Sequence, residues 1–461
     1  MTEERDRGRK ARVRGTADVR GPVPPEGERD GGPAADGASS SRRGRVDTVG
    51  GVPGTSTTAD GGAGLPPALR RWCADPRRVL PVTLPALAAV LTGMLLYTHG
   101  YHIDLEVYRI GVATWRAGGD LYGPLPPTVS GLALPFIYPP FAAMVLLPLE
   151  ALPWTAAWVA LYAASLLSVA VTLYVVARRV WPEGGRAGAL CLASAVLPAA
   201  LLLEPVLETF RFGQVNLVLM GLVAVDCLVE RPRWPRGMLI GLAAAIKLTP
   251  AAFVLFLLLR GDRRAVAVTV GTAALATGLG FAVDPSSSAR YWFGGPAAGV
   301  SGSVFYTNQT IQAVLARAAV PPPAAKAVWL VATLALLALV VPVVRRAAPA
   351  LALVTVAGFA LLVSPTSWSH HWVWIAPALL VTAAEAVRRG SRGWAAATAV
   401  LAVAFFVAPF RWLPHEHDAE LTWTAGQQVV GATYLIVGVL ALVAVRLALG
   451  ADRRTVTPAP R

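Results

Sequence analysis

The sequence predicts an all-α membrane protein that crosses the bilayer many times. The chain has 461 residues, of which 55% are hydrophobic and 15% charged, whereas soluble proteins carry roughly a quarter charged residues. Several uncharged apolar runs reach the roughly 18–20 residues that a helix needs to cross a bilayer. A backbone in lipid must satisfy its own hydrogen bonds, so these runs are expected to be helices. We predict about ten full crossings and two shorter broken elements, or about 10–12 transmembrane helices.

The arginine clusters at the ends of the apolar runs indicate on which side of the membrane each loop lies. Cytoplasmic loops are enriched in arginine and lysine, which explains the net charge of +14 without a nucleic-acid partner. Both termini are then expected to be cytoplasmic, and the protein is expected to lie in the plasma membrane. Residues 1–66 are rich in Gly, Pro, Ser and Asp and are predicted to be a disordered cytoplasmic tail. Residues 67–450 form the transmembrane domain, and 451–461 form a short cytoplasmic tail.

The predicted elements follow from this sidedness, taken in chain order. A first span is followed by an external loop from Thr98 to Pro140, in which an amphipathic helix begins at Asp104. The segment 138–152 is short, and 237–259 is expected to be a broken hairpin bent near Lys247 and Pro250. A second external loop covers 284–325. The full crossings are expected at about 79–97, 154–177, 187–203, 213–229, 265–283, 328–344, 351–363, 372–387, 394–407 and 425–445.

With this topology the polar and aromatic motifs gather at the outer membrane face. A transport path needs ionisable groups near the midplane, and apart from Lys247 the spans contain none that stands out. The clustering therefore favours an external active site over a lipid or solute transporter. These motifs are Asp104, Y-P-P at 138–140, G-Q-V-N at 213–216, the bend at Lys247, Asn308 and S-P-T-S-W-S-H-H at 364–371.

Asp104 is the leading candidate for the catalytic residue. Aspartate is a favoured helix N-cap, so one role for Asp104 is to begin the amphipathic helix. The other is a general base that removes a proton from an acceptor hydroxyl, and one side chain can do both. Glu106 ranks second, because a residue two positions further along a helix points in a different direction.

The other polar residues near the spans each keep two interpretations. Tyr138 is either an interfacial tyrosine beside a proline-started helix or part of the site. Gln214 and Asn216 suit sugar hydroxyls or a broken backbone equally well. Lys247, one of three lysines in the chain, lies in an apolar run and needs an anion. That anion is either a carboxylate within the bundle or the phosphate of a lipid donor.

The histidines do not predict a metal site. His370 and His371 are adjacent, which is a poor geometry for binding one ion, and H-E-H-D at 415–418 lacks the H-E-x-x-H spacing. The three cysteines also lack metal-ligand spacing, and we expect them to be packing residues. The sequence contains no Walker motif or G-x-G-x-x-G turn, so it offers no support for a soluble nucleotide donor. We expect no metal and no cofactor.

Taken in order, these motifs resemble glycosyltransferase family 87, whose members are membrane enzymes of the GT-C fold. The family includes polyprenol-phosphate-mannose-dependent alpha-1,2-mannosyltransferases of actinobacterial cell envelopes. The resemblance covers about residues 79–387. It is carried by D-L-E-V-Y (104–108), G-G-D-L-Y (118–122), Y-P-P-F (138–141), G-Q-V-N (213–216), G-L-A-A-A-I-K-L-T-P (241–250), N-Q-T (308–310) and S-P-T-S-W-S-H-H (364–371).

The resemblance implies an inverting transfer of a hexose, with mannose expected, from polyprenyl phosphate to a glycolipid or lipoglycan acceptor. Asp104 takes the place of the family's general base. Lys247, Arg211 or a protonated histidine would stabilise the phosphate that leaves. Two alternatives remain, an arabinofuranosyltransferase of the same fold and a lipid or solute transporter. The residues predicted to bind donor or acceptor are Glu106, Tyr138, Arg211, Gln214, Asn216, Lys247, Asn308, His370 and His371.

Overall fold

A computed structural model describes residues 66–295 and 302–451 of the chain. In these residues the regular structure is helical, apart from one isolated β-bridge between Asn308 and Trp368. Seven helices are long and apolar enough to cross a membrane, and four shorter apolar helices accompany them. The predicted all-α polytopic fold class is therefore confirmed. The predicted tails lie outside the described residues, apart from Pro66 and the backbone of Ala451.

The nineteen α-helices of the described residues follow the predicted order of spans and loops. Five 3₁₀ segments connect them, at Pro182–Gly184, Thr249–Phe253, Ser369–Trp374, Pro409–Trp412 and Ala419–Thr422. The helices are α1 (Pro67–Cys73), α2 (Pro76–Thr98), α3 (Ile103–Arg116), α4 (Pro140–Ala151), α5 (Trp154–Val180), α6 (Gly185–Leu201), α7 (Glu204–Phe212), α8 (Asn216–Leu228), α9 (Met238–Ile246), α10 (Val254–Leu259), α11 (Arg263–Val283), α12 (Pro285–Gly294), α13 (Ile311–Arg317), α14 (Pro322–Arg346), α15 (Pro349–Val363), α16 (Ile375–Arg388), α17 (Arg392–Val407), α18 (Ala425–Gly431) and α19 (Thr433–Ala451).

The helices separate into an inner and an outer group. Helix α5 packs against α6, α8 and α16, and α8 packs against α9. Outer helices such as α2 and α11 leave large apolar side chains uncovered, for example Leu96 (78% exposed) and Leu275 (74% exposed). Lipid tails are the environment in which such side chains lie without the penalty of exposure to water. The outer helices therefore form the lipid-facing surface, and the inner group forms the packed centre.

Several predicted elements are shorter or more broken than the sequence suggests. The chain breaks at Lys247 between α9 and the 3₁₀ segment Thr249–Phe253, which confirms the predicted bend. Three segments predicted as full crossings are the shorter helices α8, α15 and α16, of 13, 15 and 14 residues. The last predicted crossing divides at Ala432 into α18 and α19.

Helix α3 lies close to the segment that precedes α4. Gly111 faces Phe136, and a Cβ atom at Gly111 would lie 2.6 Å from the Phe136 ring. The buried side of α3 is apolar, with Leu105, Tyr108 and Val112 fully covered. The amphipathic pattern of the first loop therefore produces a helix that is docked on the bundle, with its first turn next to the inner helices.

Candidate active site

A cavity of about 1190 Å³ lies among α3, α7, α8, α15, the chain from Lys247 to Phe253 and the segment Ser369–Trp374. Part of its wall is polar, and part is formed by apolar side chains of α8, α15 and the segment around Phe253. The cavity brings together eight of the ten predicted site residues, which are Asp104, Tyr138, Arg211, Gln214, Asn216, Lys247, His370 and His371.

Asp104 and Gln214 meet because two turns of the chain approach closely. Asp104 lies in the first turn of α3, where a negative charge is stabilised by the helix dipole. Gly213 ends α7 with φ +67°, and a Cβ atom there would lie 2.8 Å from Cβ of Leu105. Only glycine suits both the backbone angle and the space. Gln214 follows directly, and its side chain lies near enough to Asp104 to lower the pKa of that carboxyl.

Lys247 lies at the break after α9, with its ammonium group held by two neighbours. Its Nζ donates to Oδ1 of Asn216 at 2.9 Å and lies 3.4 Å from Nε2 of His371. It also lies 5.3 Å from the centre of the Tyr138 ring. An ammonium group has three donors and no acceptor. The nitrogen of His371 that faces it therefore accepts, which requires a neutral imidazole.

The charges of the site give it one basic carboxylate and one cation. Burial raises the pKa of Asp104 to about 6, while the charge of Lys247 and the hydrogen bond from Gln214 act in the opposite direction. Burial and the nearby charge of Lys247 lower the pKa of both His370 and His371 well below the usual range. Near neutral pH the site therefore combines a carboxylate with a raised pKa, two neutral imidazoles and one ammonium group.

A tyrosine pair holds Gln214 in position. The hydroxyl of Tyr108 and that of Tyr138 lie 3.0 Å apart, and both donate to Oε1 of Gln214. All three side chains are buried. Because its carbonyl oxygen is occupied by the two phenols, the amide nitrogen of Gln214 is left to face Asp104. The role of Tyr138 is thus to fix Gln214 and to place its ring beside Lys247.

The structure corrects three predictions about individual residues. Asp104 is not the N-cap, because α3 begins at Ile103 and the N-cap is His102, which makes no side-chain cap hydrogen bond. Glu106 lies outside the cavity wall and accepts from the backbone N–H of Val129 at 2.5 Å. Asn308 is fully buried, and its amide binds backbone groups of Ser303 and Ser367. It ties two loops together and does not reach the cavity.

The H-E-H-D segment behaves as a loop. His415 stacks on Tyr306 with ring centres 4.0 Å apart, and its Nδ1 lies 2.8 Å from the carbonyl oxygen of Leu413. Asp418 also lines the cavity. Within residues 66–295 and 302–451, no three His, Cys, Asp or Glu side chains are grouped closely enough to hold a metal ion.

A second polar cluster lines the cavity and was missed from the sequence. Glu208 is 2% exposed and pairs with Arg211 at 3.2 Å and with Arg411 at 3.3 Å. Glu204, one helical turn earlier, accepts from Arg411 at 3.0 Å and from Tyr434 at 2.9 Å. The sequence signal that could have identified this cluster was the presence of two acids four residues apart in an apolar chain. Arg411 is distant in sequence, and no local pattern connects it with the two glutamates.

Comparison with known proteins agrees with this geometry. The model of glycosyltransferase family 87 matches residues 136–365. A polyprenol-phosphate-mannose-dependent alpha-(1-2)-phosphatidylinositol mannoside mannosyltransferase of Mycolicibacterium smegmatis is 39% identical over 81% of this chain and 89% of its own length. The chain belongs to glycosyltransferase family 87. It is therefore a multi-pass membrane glycosyltransferase, and the predicted family is confirmed.

Other members of family 87 are similar over comparable lengths. The protein of the same description from Mycobacterium tuberculosis is 38% identical over 83% of this chain and 96% of its own length. A phosphatidylinositol pentamannoside mannosyltransferase of Mycobacterium tuberculosis is 32% identical over 71% of this chain and 79% of its own. Among solved structures, ArnT from Cupriavidus metallidurans bound to undecaprenyl phosphate aligns with a TM-score of 0.41 and 17% identity. That alignment covers 80% of this chain and 77% of ArnT.

Proposed function

We propose that this family 87 enzyme transfers mannose from a polyprenyl-phosphate donor to a hydroxyl of a phosphatidylinositol mannoside, in alpha-1,2 linkage and with inversion. The donor and acceptor are those in the names of the relatives that are 39% and 38% identical. The observation that carries the proposal is one cavity that contains a carboxylate, Asp104, an ammonium group, Lys247, and an apolar wall. Transfer takes place at the outer face of the plasma membrane.

The donor lies with its phosphate at Lys247 and its lipid along the apolar wall. Asn216 and His371 both contact the ammonium group and hold it in place. Leu248, the next residue, is 53% exposed and also lines the cavity. A lipid-linked phosphate needs this combination of one cation and a continuous apolar surface. The apolar wall is formed by Leu219, Met220, Val223, Leu248, Phe253, Ala357, Phe359, Leu361 and Trp374.

The acceptor hydroxyl is activated by Asp104. The carboxylate removes the hydroxyl proton while the oxygen attacks the anomeric carbon of the donor from the face opposite the phosphate. The bond between that carbon and the phosphate oxygen breaks, and polyprenyl phosphate leaves with the electron pair. Lys247 stabilises the negative charge that develops on the leaving phosphate. Arg211 is paired with Glu208, and the histidines are neutral, so Lys247 is the cation for this step.

The test compares Asp104→Asn with Glu106→Gln, a carboxylate on the same helix that lies outside the cavity. Full-length protein in lipid nanodiscs receives radiolabelled polyprenyl-phosphate mannose and a phosphatidylinositol mannoside. Loss of the base is expected to lower kcat by about 10²- to 10⁴-fold. Glu106→Gln is expected to keep wild-type activity, and both variants should accumulate normally. Equal activity of Asp104→Asn and the wild type would remove Asp104 from the mechanism.

The same assay separates the alternatives. A donor panel with polyprenyl-phosphate arabinofuranose distinguishes a mannosyltransferase from an arabinofuranosyltransferase of the same fold. Flux through proteoliposomes without sugar transfer would support a transporter. The proposal includes no cofactor and no metal, and excess EDTA is expected to leave transfer unchanged. Loss of transfer in EDTA, restored by a divalent cation, would contradict that part.

A further inference from the structure

The second polar cluster of the cavity is built from one carboxylate between two guanidinium groups. We define the Glu208 cluster as Tyr101, Glu208, Arg211, Phe212 and Arg411, all of which line the cavity. The carboxylate of Glu208 also accepts from the hydroxyl of Tyr97 at 2.9 Å. Arg211 lies over the Tyr101 ring at 4.8 Å and near the Phe212 ring at 5.9 Å. The cluster therefore combines hydrogen-bonding groups with aromatic surface.

The arginines of the cluster retain hydrogen-bonding capacity. Side chains of Arg211 and Arg411 are 30% and 26% exposed, whereas Glu208 is 2% exposed. A guanidinium group has five N–H donors. Across the part of the chain that the structure describes, the ion pairs of both arginines to Glu204 and Glu208 use Nη1 alone. The remaining donors are left for a ligand in the cavity.

A buried histidine nitrogen supplies a second, independent indication of a ligand. His370 is 8% exposed and lines the cavity, and within the described residues its Nε2 has no hydrogen-bond partner. Its ring packs edge-on against Phe212, with centres 5.0 Å apart, and against His371 at 4.8 Å. His370 thus lies between the Glu208 cluster and the residues around Lys247. A buried polar atom without a partner is unfavourable unless a bound molecule completes it.

The charge of the cluster indicates a neutral ligand. Glu204 lies outside the cluster and pairs with Arg411, so its carboxylate and that of Glu208 together balance the two guanidinium groups. Asp418 adds a further acid to the cavity wall. An anionic phosphate would approach carboxylates as closely as cations, so the cluster offers it no net attraction. Sugar hydroxyls, in contrast, donate to carboxylates and accept from guanidinium groups.

We propose that the Glu208 cluster and the Nε2 of His370 bind a neutral sugar ring of the acceptor, adjacent to the ring that receives mannose. This inference rests on the proposed function, which it extends by naming the part of the acceptor that is recognised. The cluster then determines how long an acceptor glycan the enzyme prefers. Tyr101 precedes Asp104 by three residues, which places this sugar subsite next to the base.

The test compares two uncharged acceptors, octyl α-mannoside and the corresponding octyl dimannoside, with full-length protein in nanodiscs. Only the second acceptor is long enough to occupy both the reacting position and the subsite. Glu208→Gln is expected to lower kcat/KM for the dimannoside by roughly 10- to 100-fold, because a hydrogen bond to a charged group contributes that much. The effect on the monomannoside should be several-fold smaller, and the KM for the donor should not change.

Two further variants keep the result interpretable. Glu150→Gln removes a carboxylate that pairs with Arg116 outside the cavity and is expected to leave both acceptors unaffected. Tyr101→Ala removes a half-buried wall residue, and it should weaken the dimannoside selectively even if Glu208→Gln fails to fold. Equal losses for both acceptors, or no loss in a folded variant, would overturn the subsite. A wild type that transfers to neither acceptor nor to phosphatidylinositol mannoside would contradict the proposed function itself.

A phosphate-binding role gives a different result. In that case Arg211→Gln would weaken a phosphatidylinositol mannoside while leaving the uncharged dimannoside unchanged. The sugar subsite requires the opposite, because the dimannoside has no phosphate and still depends on the cluster. Selective loss of the phosphate-bearing acceptor would overturn the inference.

Discussion

At the scale of single residues, the ionisation of Asp104 depends on burial and on one charge. Burial raises its pKa to about 6, and Lys247 acts against this rise. A carboxylate with a pKa just below neutral is ionised at pH 7 and is more basic than an exposed aspartate. In the proposed mechanism Lys247 therefore has two roles, since it stabilises the leaving phosphate and also keeps the base ionised.

We expect the rate of transfer to follow the ionisation of Asp104. The active form is the carboxylate, so kcat/KM should fall about tenfold per pH unit below pH 6 and level off towards pH 7. Lys247→Gln removes a positive charge that lowers the pKa of Asp104, so the acid limb should move to higher pH. The dependence of kcat/KM on pH is measured between pH 4.5 and 8 in nanodiscs. Glu106→Gln is the control, and its activity should fall at low pH as that of the wild type does. A flat profile across pH 5–7 would contradict the assignment.

Sequence patterns identified most of the cavity but not the partners of each residue. Asp104, Lys247 and His371 stood out because ionisable groups are rare in apolar surroundings. Glu106 stood out for the same reason and Asn308 through its N-Q-T motif, yet both side chains bind backbone groups of nearby loops. Glu204 and Glu208 were missed because the feature that distinguishes them is their pairing with Arg411. Arg411 lies 207 residues after Glu204 and 203 residues after Glu208. Pairing of this kind is visible only once α7 and the segment Pro409–Trp412 have been placed.

At the scale of elements, the structure depends on the places where helices break. Gly237, before α9, has φ +96°, and its N–H donates to the buried carboxylate of Asp226. A Cβ atom at Gly237 would lie 2.1 Å from the carbonyl oxygen of Ala265 in α11. Helix α9 ends at Ile246, directly before Lys247, so the approach of α9 to α11 helps to fix the position of Lys247.

Gly237→Ala is therefore expected to destabilise the bundle. A non-glycine residue at this φ costs about 1–3 kcal/mol, and the backbone contact with Ala265 adds to this figure. Gly271→Ala in α11 is the matched control, because a Cβ atom at Gly271 would meet nothing within 4 Å. Alanine is also more favourable than glycine in a helix by about 1 kcal/mol. Thermal unfolding in nanodiscs should show a lower Tm for Gly237→Ala and an unchanged or higher Tm for Gly271→Ala. Equal Tm values would contradict the role of this contact.

Hydropathy predicted where apolar helices end more reliably than where they begin. The break near Lys247 was predicted because basic clusters flank the segment on both sides and because Pro250 interrupts helical hydrogen bonding. Helix α16 begins at Ile375 because the segment Ser369–Trp374 before it is 3₁₀, although Trp372 to Trp374 are as apolar as the helix. The preference of that segment comes from tertiary contacts with α7, which no local pattern contains.

At the scale of the whole molecule, sidedness connects the basic clusters with the cavity. Arg178 and Arg179 end α5, and Arg388 ends α16, at the side that the positive-inside rule assigns to the cytoplasm. Tyr101 and Asp104 in the wall of the cavity belong to the loop that is predicted to be external. A polyprenyl-phosphate donor suits the outer face because its lipid holds the sugar at the membrane. We therefore expect both termini to be cytoplasmic and the cavity to be open to the outside.

Cysteine labelling in intact cells tests this arrangement. The three native cysteines, Cys73, Cys191 and Cys227, are buried and are replaced by alanine to give the background. Val129→Cys introduces a thiol at a 97% exposed position in the first loop, which should react with a membrane-impermeant maleimide in intact cells. Glu183→Cys, in the exposed turn between α5 and α6, should react only after permeabilisation, because Arg178, Arg179 and Arg186 flank it.

The two cysteine positions control for each other in this experiment. Each has the same cysteine-free background and the same reagent, so a difference in labelling reports the side of the membrane. Retained mannose transfer shows that the background is folded. Labelling of Glu183→Cys in intact cells, with protection of Val129→Cys, would invert the topology. The cavity, the base and the donor would then lie at the cytoplasmic face of the membrane, and the proposal of an external lipid-linked donor would be wrong.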